Sequence, residues 1–346
     1  MKDSTNNPTP PSKELSTQER FAEALTLVPE ISEVESIIRS CFASDVAPMF
    51  EIPDYLLSLG GKRIRPVLTL LFAKAFGATS VPEDILRIAA GIELIHMATL
   101  MHDDIIDQSP TRRHQQSPYA KFGLPLTLLS GDFLLTRAFG LCARLDDAVI
   151  AATEQACIEL VEGEALETPL HIDSHTIDSS LVIANRKTAS LFRLGAFCAA
   201  HLTNAEHKSI ALASEFGQAL GVAFQIIDDI LDVQSDEKTL GKPPGIDILE
   251  RKPSMVNILW LASGSTRANR LLHPPEDSTS EAQFVRDSLE EIKNCTVLDQ
   301  AIEMARKYGM SARDHLDKSL IENKSGPSIY SDALHAVIDF ALDRIS

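Results

Sequence analysis

Basic runs, clustered cysteines and long unbroken apolar stretches are all scarce in this sequence. Its 32 Lys and Arg stand against 49 Asp and Glu, a formal net charge of −17, and the basic residues gather only in short pairs such as Arg112 and Arg113. A surface of that sign repels a phosphate backbone, which argues against nucleic-acid binding. The five cysteines, Cys41, Cys142, Cys157, Cys198 and Cys295, are odd in number and far apart. No pair has the spacing of a zinc knuckle or a redox dithiol, so they read as free thiols of a reducing cytoplasm. The first twenty residues lack the apolar core of a signal peptide, and no segment offers about 18 uninterrupted apolar residues. The bulk of the chain therefore reads as soluble. Aromatic residues make up only 5%, yet 44% of the chain is hydrophobic, enough for a large core.

What is present is helical texture. Residues 1–16, rich in Ser, Thr, Asn and Pro, read as a mobile tail ahead of one domain spanning 17–346. Beyond it, apolar residues recur at three- and four-residue intervals in segments nearly free of Gly and Pro. The best of these run over 83–107, 131–145, 148–166, 183–202, 209–233 and 331–345, with breaks at Pro110 and at Gly241-Lys242-Pro243-Pro244. No run of alternating β-branched residues competes. The fold class is all-α, with ten or more antiparallel helices around a central cavity. The polar stretch at 263–282 reads as a surface loop.

One short pattern occurs twice. Asp103-Asp104-Ile-Ile-Asp107 ends an apolar helix, and Asp228-Asp229-Ile-Leu-Asp232 follows another. In each, the first and last aspartates share one helical face, one turn apart. A solvated acidic helix end would have polar neighbours, whereas LIHMATLMH and VAFQII are apolar. Carboxylates crowded on such a wall repel one another unless a cation neutralises them. Hard oxygen donors in this number suit Mg²⁺, which prefers to be shared with substrate phosphates. Two acidic mouths across one cavity would hold a diphosphate through bridging metals. The pair Arg112-Arg113 follows the first cluster closely, and guanidinium groups grip phosphate bidentately. His96, seven residues before Asp103, shares its helical face.

These residues carry a resemblance to the trans-polyprenyl diphosphate synthases of the isoprenoid synthase fold, most like the long-chain, octaprenyl type. Its motifs are Gly60-Gly61-Lys62-Arg63-Ile64-Arg65-Pro66, IHMATLMHDDIIDQSPTRR, Leu129-Ser-Gly-Asp132, Gly163-Glu164, Lys187-Thr188, Phe224-Gln225 with DDILD, and Gly241-Lys242. Together they cover the chain from about Glu35 to its end. The resemblance implies a prenyltransferase that extends an allylic diphosphate with isopentenyl diphosphate. It implies about three Mg²⁺ ions on Asp103, Asp107 and Asp228, supported by Asp104, Asp229 and Asp232. Arg112, Lys187, Lys242 and Lys252 match positions that contact the allylic diphosphate; Lys62, Arg65, His96 and Arg113 match those that hold isopentenyl diphosphate. Thr188, the Lys187 carbonyl and Gln225 would face the allylic cation. His114 stands where the family has Gly, and Arg251-Lys252-Pro253-Ser254 departs from its Gly-Lys-x-Thr pattern.

In such a fold the growing chain descends below the first cluster, where Ala98 and Thr99 form no aromatic floor. The expected product is long, about thirty carbons or more, as in quinone side chains; each turn passed lowers the floor by about 5 Å. A deeper plug at Ile95, Met97 or Phe139 would make twenty-carbon geranylgeranyl diphosphate the alternative. A terpene cyclase usually lacks the Gly60–Pro66 motif and the second full cluster, and a non-catalytic partner subunit typically loses aspartates that this chain keeps. The resemblance also implies a homodimer, and so apolar a product suggests transient contact with a membrane.

Overall fold

The computed structural model describes residues 15–168, 176–235, 243–272 and 278–345. Of the tail expected at 1–16, all but the last two residues lie outside these, as does Lys242.

The chain enters the fold at Ser16, whose side chain and that of Glu19 cap each other's backbone N–H at the start of α1 (Thr17–Thr26). Then follow α2 (Ile31–Cys41), α3 (Ala47–Ser58), α4 (Ile64–Ala75) and α5 (Glu83–Ile106). After a small hairpin come α6 (Pro118–Phe122), α7 (Leu124–Cys142), α8 (Asp147–Glu167), α9 (Ile177–Ala184), α10 (Ser190–Leu202) and α11 (His207–Gln234). The C-terminal part comprises α12 (Ile246–Leu249), α13 (Met255–Ala262), α14 (Ser278–Lys293), α15 (Val297–Glu322) and α16 (Ile329–Leu342).

Helices α5 and α11 are apolar around most of their circumference because neighbours cover them on several sides. Both are long and apolar enough to cross a membrane, yet 72% and 56% of their most apolar windows are buried inside the protein. Close approach in the centre depends on small residues. A Cβ on Gly195 would sit 2.5 Å from Thr69 Oγ1, and one on Gly217 would sit 2.6 Å from the Phe192 carbonyl. One apolar cluster centres on α4, α5 and α10, with Phe72, Phe192 and Phe216 buried in it. A second joins α11, α13 and α15 around Trp260, which is fully buried and donates Nε1–H to Glu291 at 3.0 Å.

Four local features differ from the sequence expectation. Helix α7 begins at Leu124 rather than near 131, because Pro125 suits a first helical turn and Gly123 breaks the chain before it at φ +80°. The loop expected at 263–282 already turns helical at Ser278, and α14 buries Phe284 and Ile292. A two-residue antiparallel pair, Thr111–Arg112 with Gln115–Gln116, closes through left-handed Arg113 and His114. The helix expected at 183–202 is interrupted by a π-helical turn over Asn185–Ala189.

Candidate active site

A cavity of about 810 Å³ opens between α4, α5, α8, α10 and α11. Its wall carries Lys62, Arg65, His96, Asp103, Asp107, Arg112, Arg113, Lys187, Thr188, Gln225, Asp228, Asp229, Asp232 and Lys252. The structure thus brings these expected residues together, and it adds Arg63, Glu93, Glu164, Glu167 and Arg344, which were not singled out for contact. Asp104 lies behind the wall, fully buried. Among the chain-length candidates, Thr99 lines the cavity, while Ala98 and Ile95 are buried in the adjoining core. Phe139 is 45% exposed on the outer face of α7, so within one chain it is no plug. The periodicity of α7 could not tell inner from outer face, because that helix is apolar on both.

The acidic side is built by the ends of α5 and α11. Asp104 accepts two hydrogen bonds from Arg112 Nε, at 2.9 and 3.1 Å, and one from Nη2 at 2.7 Å. This fork aims the hairpin at the cavity and leaves Asp103 and Asp107 facing it. Lys252 Nζ lies 2.9 Å from Asp107, and Arg344 Nη1 lies 2.6 Å from Asp228. Burial pushes the Asp103 carboxyl up to about 7, with Lys187 and Arg112 pulling it down and Glu164 and Asp107 pushing it further up. Burial likewise pushes Asp229 up to about 7, although Gln225 and the Met255 N–H both donate to it, at 2.9 and 2.7 Å.

The π turn supplies Lys187 and Thr188. It presses so closely on α8 and α11 that a Cβ on Gly163 would collide with Lys187 N, and one on Gly221 with Ala189. Lys187 Nζ contacts Glu164 at 2.7 Å and Glu167 at 2.5 Å. Burial opposes its charge, but Glu167, Asp103 and Glu164 outweigh that and hold the ammonium well above its ordinary value. Thr188 Oγ1 donates to Gln225 Oε1, and Gln225 Nε2 donates to Asp229, so a polar chain runs along the inner wall.

The basic side is built by the loop before α4, the middle of α5 and the hairpin. Gly60 and Gly61 take φ +86° and +148°, and Arg63 takes +47°. Arg65 stacks over Phe192, 4.9 Å from the ring centroid, and Lys62 lies 4.3 Å from the Phe340 centroid. Burial and the nearby Arg344 lower the Lys62 pKa, with Asp228 opposing. Burial, then Arg65, Arg112, Arg113 and Arg63, depress His96 far below its ordinary value, so it meets the cavity as a neutral imidazole. His114 occupies φ +65°, a conformation in which glycine is unstrained.

Arg344 and Glu93 were absent from the expectation for a common reason: tertiary packing alone brings them in. For the former the available signal was a lone cation just past the apolar last helix, in the turn Asp343–Ile345. For the latter it was one carboxylate inside the apolar run GIELIHMA.

Hard carboxylate donors on two helices, facing a cavity that also gathers cations, fit divalent metal shared with phosphate. Among the described residues, no three acidic or histidine side chains form a ready-made cage.

The Polyprenyl synthetase family profile matches residues 47–292. The geranylgeranyl diphosphate synthase of Sulfolobus acidocaldarius is 33% identical over 91% of this chain and 96% of its own. The octaprenyl diphosphate synthase of Escherichia coli is 31% identical over the same shares, 91% and 96%. Among solved structures, a polyprenyl synthase from Caulobacter crescentus, complexed with calcium and isoprenyl diphosphate, superimposes with a TM-score of 0.85. It is 29% identical and covers 97% of this chain and 100% of its own. With this cavity and these relatives, the chain belongs to the polyprenyl synthetase family and is a chain-elongating trans-prenyltransferase, a polyprenyl diphosphate synthase.

Proposed function

We propose that this enzyme condenses isopentenyl diphosphate with an allylic diphosphate to build an all-trans polyprenyl diphosphate of about thirty carbons or more, using about three Mg²⁺ ions. One observation carries the reading: a single cavity presents an acidic wall suited to a metal-bound diphosphate and a separate basic wall suited to a bare one. Asp103, Asp107 and Asp228 would hold the metal, with Asp229 and Asp232 behind them and Asp104 acting through Arg112.

Bound metal would neutralise the charge that develops on the departing diphosphate. Lys187, Lys252 and Arg112 add fixed positive charge at the same end. Thr188 and Gln225 direct oxygen dipoles toward the allylic carbons and stabilise the cation without attacking it. Lys62, Arg65 and Arg113, with neutral His96 as a hydrogen-bonding partner, fix the second diphosphate so that its double bond meets the cation. Loss of a proton to the released diphosphate completes each five-carbon addition. No side-chain nucleophile is required.

Small Thr99 on the cavity wall beneath Asp103, with small Ala98 in the core beside it, supports a long product. The twenty-carbon reading is supported by the Sulfolobus acidocaldarius relative. Sizing the prenyl alcohols after incubation with Mg²⁺, labelled isopentenyl diphosphate and farnesyl diphosphate decides between them. A ladder reaching thirty carbons or beyond is expected; a stop at twenty replaces the long-chain reading, and no incorporation removes both.

The apolar outer faces of α7 and α8, with Leu128, Leu129, Phe139, Ile158 and Val161 exposed, support a homodimer. All five cysteines are free, which accords with the cytoplasm. Transient membrane contact would serve release of the product.

A further inference from the structure

A pocket meant for an anion ordinarily excludes carboxylates, yet Glu93 is 4% exposed in the middle of the basic wall. It sits on α5, three residues before His96, and its Oε1 accepts from Arg63 Nη1 at 3.2 Å. Arg63 is held from every side. Its Nε donates to Glu35 at 3.2 Å, and its Nη1 and Nη2 donate to the carbonyls of Gly60 and Leu57, both at 3.3 Å. It lies directly under Gly61, where a Cβ would fall 2.6 Å from Arg63 Nη1 and 3.0 Å from Arg113 Nη1. Three cations of the wall, Arg63, Arg65 and Arg113, all act electrostatically on this one carboxylate. Arg65 Nε, by contrast, is buried and has no hydrogen-bond partner among the described residues, which leaves it a donor to spend.

We propose that Glu93 is a positioning residue for isopentenyl diphosphate: it pins Arg63 as a structural cation beneath Gly61, so that Lys62, Arg65 and Arg113 remain directed at the diphosphate. Without it, four cations crowd a desolvated pocket and repel one another, and the left-handed loop at Gly60–Arg63 loses its anchor. Glu93 touches no reacting atom; it acts through Arg63. The inference rests on the reading of the basic wall as the isopentenyl diphosphate site.

The test is steady-state kinetics with each substrate varied in turn, on Glu93→Gln, Glu93→Asp, Arg63→Gln and Arg113→Gln, with thermal melts of each. Removing a charged hydrogen-bond partner predicts a KM for isopentenyl diphosphate raised about tenfold or more in Glu93→Gln and Arg63→Gln. Their KM for the allylic substrate should stay within about twofold, a split that general loosening of the fold would not produce. Glu93→Asp should recover part of the loss. Arg113→Gln tells the two ideas apart. If it raises the isopentenyl diphosphate KM while Glu93→Gln and Arg63→Gln do not, the positioning role is overturned and the site stands. If Arg113→Gln also leaves that KM unchanged, the site assignment fails and the positioning role fails with it. Equal rises in both KM values in Glu93→Gln and Arg63→Gln likewise overturn the proposal.

Discussion

The two charged walls of the cavity are built on inverse plans. On the acidic wall, carboxylates point inward and cations lean over them: Lys252 on Asp107, Arg344 on Asp228. On the basic wall, cations point inward and one nearly buried carboxylate, Glu93, is set among them and paired with Arg63. On the proposed reading, the difference lies in what each wall awaits. Carboxylates that bind metal exchange one cation for another, so a side chain such as Arg344 can serve as a placeholder. Cations that bind a bare diphosphate have no such substitute, and the compensating charge must lie where the ligand does not go. A wall of one sign is stable in a low-dielectric cavity only when its opposite is built in nearby.

The sharpest way to break this contrast is on the acidic wall. Asp103→Asn should lower kcat/KM about 10³-fold, the scale on which loss of one strong stabiliser of developing charge is felt. Stopped-time incorporation of labelled isopentenyl diphosphate measures it. The seam between the walls comes next. Gly163→Ala forces a Cβ against Lys187 N in the π turn, and overpacking of that kind should cost about 1 to 3 kcal/mol in urea unfolding. Mg²⁺ with inorganic diphosphate should raise the melting midpoint by a few degrees at about 100 times their Kd, and a chelator should reverse it. Asp228→Asn should blunt that rise, whereas Lys62→Gln should leave most of it. The smallest effect on turnover is expected on neither wall. Thr99→Phe, at a position lining the cavity one turn below Asp103, should leave the first condensation close to its native rate and shorten the product, as read by sizing the prenyl alcohols.

Much of this site could be read from sequence because helical spacing is rigid. Asp103 with Asp107, and Asp228 with Asp232, had to share faces, and apolar neighbours marked those faces as cavity walls. Arg112 and Arg113 follow the first cluster too closely to lie elsewhere. Other features depend on how elements meet. The π turn at Asn185–Ala189 packs where Gly163 and Gly221 let three backbones converge, which no local pattern announces. Arg112 proved to be tied to Asp104, a pairing across a turn whose register the sequence did not reveal. Arg344 reaches Asp228 only because the last helix packs back on α11. Phe139 lies outside because α7 is apolar on both faces, so composition could not choose between them.

The claim that the two walls serve two different diphosphates meets its most direct test in a crossed pair of variants, Lys62→Gln and Lys187→Gln, each with both substrates varied. The account predicts that Lys62→Gln raises the KM for isopentenyl diphosphate about tenfold or more, with the allylic KM little changed, and that Lys187→Gln does the reverse. If each variant shifts both KM values by the same factor, the cavity does not divide its substrates between an acidic and a basic wall.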